Sequence, residues 1–129
     1  MNLMIKNMEK EFVSYEQALE LKYLGFDLPC FAWFDSFDNN NLHTWRVPDT
    51  MVKQEFIKDS VVAPLYQQVF EWFRIKHNII IEISSKSGKF GVFFNDSGYV
   101  YEYGDVRLFE NYSYAQNEAI EITINKLKK

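Results

Sequence analysis

The pattern of apolar and polar positions is clearest from Pro64 to Lys129. Leu65, Val69, Trp72 and Phe73 recur at the helical period, and Tyr66 and Phe70 widen the apolar side. Pro64 predicts the start of this helix, because a proline at the first helical position lacks only an N–H that has no partner there. His77-Asn78 marks its end. Ile79 to Ser84 is a β-branched run and predicts a central strand buried on both faces. Lys86-Ser87-Gly88-Lys89 reads as a turn. Phe90, Val92 and Phe94 then alternate with Gly91, Phe93 and Asn95. Asn95-Asp96-Ser97-Gly98 turns the chain again into a third strand, where Tyr99, Tyr101 and Tyr103 share one face. A last helix is expected from Ser113, with Gln116 three residues on and a broad stripe of Ala119, Ile120, Ile122, Thr123, Ile124 and Leu127. The order is α-β-β-β-α.

The first half is more compact in its signals. Ser14-Tyr15-Glu16-Gln17 fits a capping box, in which serine and glutamine side chains each satisfy the other residue's backbone N–H. Ala18, Leu21 and Leu24 form the apolar side, and Gly25-Phe26 reads as a glycine-terminated end in which Phe26 reaches back to Leu21. Cys30 to Phe37 reads as a strand, Asp38-Asn39-Asn40-Asn41 as a turn, and Leu42 to Val47 as the return strand of a hairpin. On that return strand Leu42, Thr44 and Arg46 fall on one side, and His43, Trp45 and Val47 on the other. Pro48 stops it. Residues 49–62 fit either a short strand around Val52–Ile57 or an irregular connection.

The expected fold is therefore α+β. A three-stranded antiparallel meander carries two helices on one face, and an N-terminal helix and β-hairpin precede it. One domain spans residues 1–129, with 1–63 as the helix-and-hairpin elaboration and 64–129 as the α-β-β-β-α unit.

Composition adds one constraint. Aromatic residues make up 18% of 129 positions, from 12 Phe, 8 Tyr and 3 Trp. A domain of this size does not bury that much aromatic area, so part of it is expected on a surface that meets a partner. Tyr99, Tyr101, Tyr103 and Trp45 are the candidates for that surface. The alternative is that the tyrosine row packs beneath the N-terminal hairpin.

Charge argues against phosphate backbones as the target. Net charge is -4. Residues 1–63 hold 6 Lys/Arg against 10 Asp/Glu, and residues 64–129 hold 8 of each. The one basic cluster, Lys126 with Lys128 and Lys129, sits where a helix C-terminus favours cations. The single Cys30 makes no internal disulfide and lies in an apolar run, which predicts an inert buried thiol and a reducing compartment. The N-terminal stretch lacks a signal-peptide pattern and no window reaches membrane-span length. A cytoplasmic protein without a membrane anchor is expected.

The residue patterns of common chemistry are missing. His43 and His77 lie far apart in sequence and no paired-cysteine spacing exists, so no metal site is predicted. Gly88, Gly91, Gly98 and Gly104 are spread over turns and strands and form no phosphate loop. The serines have no motif around them. Asp35 with Asp38, and Glu102 with Asp105, fall at turns, where carboxylates serve as turn formers. No catalytic residue and no cofactor is assigned, and the chain is read as non-enzymatic.

Two resemblances bear on setting. The α-β-β-β-α order resembles the double-stranded RNA-binding domain in topology alone. In that family lysines opening the final helix meet phosphates, whereas Ser113-Tyr114-Ala115-Gln116-Asn117-Glu118-Ala119 offers none. Nucleic acid is accordingly disfavoured. Separately, Phe12 to Asp27 with Pro29-Cys30-Phe31, Ala63 to Arg74, and Ser113 to Ala119 resemble a group of small uncharacterised proteins encoded by phages and prophages of Bacteroidetes-type bacteria. That resemblance implies a phage origin and the host cytosol, and no residue roles.

These readings point first to a phage-encoded accessory protein that acts by binding a protein partner, in host interaction, counter-defence or the particle. Homo-oligomerisation through the tyrosine row or a free sheet edge is a subordinate version. A nucleic-acid-binding module and a small-ligand or nucleotide-binding protein are the alternatives.

Overall fold

A computed structural model describes residues 9–35, 37, 41–45, 50–57, 59–96, 99–102 and 108–129. The fold is mixed α+β, and among the described residues it holds two three-stranded antiparallel sheets. The chain forms two compact units, Met1–Gln68 with Lys128 and Val69–Leu127 with Lys129.

In the first unit, helix α1 spans Tyr15–Tyr23. Its start is the capping box read from sequence. Gln17 N–H donates to Ser14 Oγ at 3.1 Å, and Ser14 N–H donates to Gln17 Oε1 at 3.1 Å. Its end is a Schellman motif: Phe26 N–H donates to Leu21 O at 2.9 Å and Gly25 N–H to Lys22 O at 3.1 Å. Gly25 sits at φ +94°, a conformation that a side chain would strain. Gln17, Ala18 and Leu21 form the buried face of α1, which packs on strand β3 (Ser60–Ala63).

The sheet of this unit has the order β2-β1-β3, where β1 is Ala32–Asp35 and β2 is Leu42–Thr44. Two sequence expectations are corrected here. Among the described residues of the run Cys30 to Phe37, the strand covers Ala32–Asp35, its pairing with β2 begins at Phe34 opposite Leu42, and Phe37 is not in the strand. The unreadable stretch 49–62 holds a 3-10 turn at Gln54–Phe56 and then β3, which pairs antiparallel with β1 from Ala32–Ala63 to Asp35–Ser60. Asp38, Asn39, Asn40, Arg46, Val47 and Pro48 lie outside the described residues.

Pro64 does not open the next helix. It is buried and its carbonyl accepts from Val13 N–H at 3.0 Å. Helix α2 spans Tyr66–His77, with Leu65 before it. Gln68 supplies the cap in reverse, its Oε1 accepting from Leu65 N–H at 2.9 Å while its Nε2 donates to Pro29 O at 2.8 Å. Asn78, at φ 55°, ends the helix in the left-handed region that asparagine tolerates better than most residues.

In the second unit, β4 (Ile79–Lys86), β5 (Lys89–Asp96) and β6 (Tyr99–Glu102) form the predicted meander in the order β4-β5-β6. The strand expected at the centre, β4, is instead at an edge of this sheet, and it is not buried on both faces. Ile79 is buried while Ile80 is 44% exposed and Glu82 is exposed. Valine-like branching favours strand geometry in general and does not select a central position. The true centre is β5, with Val92 and Phe94 buried opposite Ile83 and Ile81. Ser87 (φ 53°) and Gly88 (φ 80°) make the two-residue β4–β5 turn, whose paired positive φ values match the twist of the strands. Ser97 and Gly98, expected in the next turn, lie outside the described residues.

Helix α3 spans Tyr112–Leu127 and lies against β4 and β5. Its cap is Asn111, whose Oδ1 accepts from Tyr114 N–H at 2.9 Å, so a single asparagine cap two residues earlier replaces the box expected at Ser113 and Gln116. Gln116 is instead buried, along with Ala115, Ala119, Ile120, Thr123 and Ile124. The Thr123 hydroxyl donates back to Ala119 O at 2.8 Å, which satisfies it within the helix.

Candidate functional site

Of the four residues proposed from sequence as an interaction surface, three fall in or beside β6. Tyr99 and Tyr101 pair through their backbones with Asp96 and Phe94. Their side chains, and Tyr103 entirely, lie outside the described residues, as do Gly104 and Asp105. Trp45 is described, and it is held rather than free. Its indole N–H donates to Cys30 O at 3.1 Å, and its ring stacks on Trp33 with centroids 4.3 Å apart and planes 23° apart. Trp33 also stacks on His43, its direct cross-strand partner, at 5.4 Å. The faces inferred for the return strand place His43 and Trp45 together, and the ladder adds Trp33 between the two strands. Such aromatic cross-strand contacts rigidify a short hairpin, each contributing roughly 0.2–1 kcal/mol.

The other singled-out groups have local explanations. His77 ends α2 with its ring edge-on to Trp72 at 4.8 Å. Among the described residues, no three His, Cys, Asp or Glu side chains cluster as metal ligands would. Cys30 is fully buried, and burial pushes its thiol up from 9.0 to about 12. Its neutral form is therefore the folded form at physiological pH. Because the folded pKa lies above the unfolded one, the stability it confers is complete below about pH 9 and is lost as pH climbs toward 12. Stability of the native chain should fall more steeply above about pH 9 than that of Cys30→Ala, in urea titrations followed by fluorescence. A thiol-specific reagent should label Cys30 only as the chain unfolds.

Two of the exposed aromatic side chains of the first unit lie near a groove. Phe37 is 97% exposed, its backbone N–H pinned to Asp35 Oδ1 at 2.7 Å. It stands at the rim of a groove of about 490 Å³ lined by Tyr15, Leu19, Lys22, Asp59, Ser60 and Val61. The elements explain the groove. Tyr15, Leu19 and Lys22 come from one side of α1, the buried Val61 from β3, and Phe37 from the chain just past β1. Tyr15 is fixed as a wall because its ring meets Phe34 edge-on at 5.7 Å. Tyr23, one turn beyond Leu19 on α1, is 85% exposed and extends the apolar surface along the helix. Sequence reasoning missed Phe37 and Tyr23. Phe37 was assigned to the strand, and Tyr23 fell outside the apolar positions counted on α1.

A second cleft, of about 410 Å³, lies between the end of α1 and the 3-10 turn, lined by Gly25, Phe26, Asp27, Lys53, Gln54 and Glu55. Gln54 faces inward with a structural task. Its Nε2 donates to Ile57 O and Ser60 O, both at 2.8 Å, and its Oε1 accepts from Val62 N–H at 3.0 Å. One amide thus takes up an acceptor and a donor of β3 that a further strand would otherwise meet, and it closes that edge.

No helix among the described residues is long and apolar enough to cross a membrane. Comparison with known proteins finds no match to the chain among family models, curated proteins or solved structures.

Proposed function

We propose that this chain is a phage-encoded accessory protein that acts by binding another protein through the groove and rim formed by Phe37, Leu19 and Tyr23. The observation that carries the binding reading is Phe37: an almost wholly exposed phenylalanine, backbone-anchored, beside a groove with a buried valine in its floor. Contiguous exposed apolar surface of this kind is characteristic of sites that meet a partner, and rigid aromatic side chains are the usual anchors. The phage setting, and the host cytosol as its compartment, rest on the resemblance of Phe12 to Asp27, Ala63 to Arg74 and Ser113 to Ala119 to phage and prophage proteins.

The test uses the full chain as bait, with Phe37→Asp and Tyr23→Ala as variants and Tyr114→Ala, exposed on α3, as control. A partner retained by the wild type and the control, and lost by both groove variants, supports the reading. Identical capture by all four proteins counts against it.

A further inference from the structure

We propose that the 3-10 turn Gln54–Phe56 is a strap that stands in for a further strand on β3, and that its release lets β3 add the β3 of a second copy. This goes beyond the protein-binding reading of the groove and does not depend on it. The argument is one of backbone direction. Among the described residues β3 is the last strand of its sheet, with β1 on one side. In an antiparallel strand the N–H and carbonyl of one residue point to the same side, and the side alternates with each residue. Val62 N–H donates to Gln54 Oε1 at 3.0 Å, and Ser60 O accepts from Gln54 Nε2 at 2.8 Å. Ser60 and Val62 therefore turn their backbone groups away from β1, while Val61 and Ala63 turn theirs toward it. One amide meets an outward donor and an outward acceptor that a neighbouring strand would otherwise meet. Its Nε2 also donates to Ile57 O at 2.8 Å, which ties the strap to its own turn. Past Val62 the chain is closed by other means: Pro64 has no N–H, and its carbonyl accepts from Val13 N–H at 3.0 Å. With the strap away, the exposed edge is self-complementary. A two-fold axis at Val61 sets Ser60 of each copy opposite Val62 of the other, and each pair exchanges both of its backbone hydrogen bonds. Side-chain charge plays no part, and Pro64 limits the register to this stretch.

Sedimentation of the full chain tests this, with circular dichroism and urea melts confirming that folded proteins are compared. Gln54→Ala should self-associate on the order of tenfold more tightly than wild type, since backbone bonds lost to the strap are regained between copies. Adding Ser60→Pro removes an outward N–H at the first residue of β3, where proline is tolerated, and should return association to the wild-type level. Val69→Ala, at a fully buried position on α2, lowers stability without touching the strap and should associate as wild type does. The wild type supplies an independent reading by amide hydrogen exchange. Val62 N–H, held by a side chain, should exchange roughly tenfold or more faster than Val61 N–H, which faces β1 and opens only with the sheet. Association of Gln54→Ala no stronger than wild type overturns the proposal. So does equal association of Val69→Ala, which would trace the effect to lost stability alone, and so does association that Ser60→Pro leaves unchanged. Should Gln54→Ala fail to fold, equal exchange at Val61 and Val62 in the wild type overturns it, because the strap would then not open apart from the sheet.

Discussion

Replacing Gln54 by Glu should destabilise the protein by about 3 kcal/mol at neutral pH, well beyond the ordinary cost of a surface change. The side chain is nearly isosteric, so the effect isolates hydrogen-bond chemistry. Gln54 Nε2 currently donates to two carbonyls, Ile57 O and Ser60 O. A carboxylate at that place presents lone pairs to lone pairs, and only the contact to Val62 N–H survives. Gln54→Ala removes the repulsion but leaves the N–H of buried Val62 and two carbonyls to be satisfied by water, and should cost about 1–3 kcal/mol. The pH dependence separates the two variants. Facing carbonyls favours the protonated acid, so the folded pKa of the introduced Glu is raised. Its penalty relative to wild type is therefore full above that pKa and shrinks as pH falls through it. Urea titrations of the three proteins at neutral and mildly acidic pH check this. A pH-independent difference between Gln54→Glu and wild type would remove the support for the amide clamp.

The second large effect is expected from Phe73→Ala, at about 3–5 kcal/mol, because a fully buried ring takes its transfer energy with it and leaves a cavity. The informative comparison is Phe37→Ala, which should lie within about 0.5 kcal/mol of wild type, since nearly all of its ring is already in water. The same substitution thus has opposite signatures at the two positions: stability at Phe73 and partner binding at Phe37. Denaturant melts of both variants, read beside their capture of a partner, test this division. Equal stability losses at the two positions would mean that Phe37 is packed rather than presented.

The contrast between these two phenylalanines shows how far sequence reaches. Phe73 lies on a helix of regular period, where three neighbouring apolar positions identify its side. Phe34 and Phe37 lie in one aromatic-rich stretch read as a single strand. Period-two alternation already sets them on opposite faces of a single strand, but it says nothing of where the strand stops. Among the described residues the β1–β3 ladder reaches Asp35, whose carboxylate accepts Phe37 N–H, and Phe37 itself is not in the strand. Beyond that point alternation no longer governs which way a side chain faces.

What the sequence alone determined was local in its physics. Ser14 with Gln17, Gly25 with Phe26, Asn78, and Ser87 with Gly88 act on backbone groups within five residues of themselves, and each stands where its type requires. The α+β class and the β4-β5-β6 meander follow from such punctuation. Tertiary structure alone decided the rest. Ser60–Ala63 is a strand because β1, far back in the chain, offers it a ladder. Gln54 and Gln68 are clamps because folding brings Val62 and Pro29 within hydrogen-bonding reach. The groove exists because α1, β3 and the end of β1 converge there. Contacts between residues distant in the chain depend on how separate segments pack, and no short window of residues encodes that.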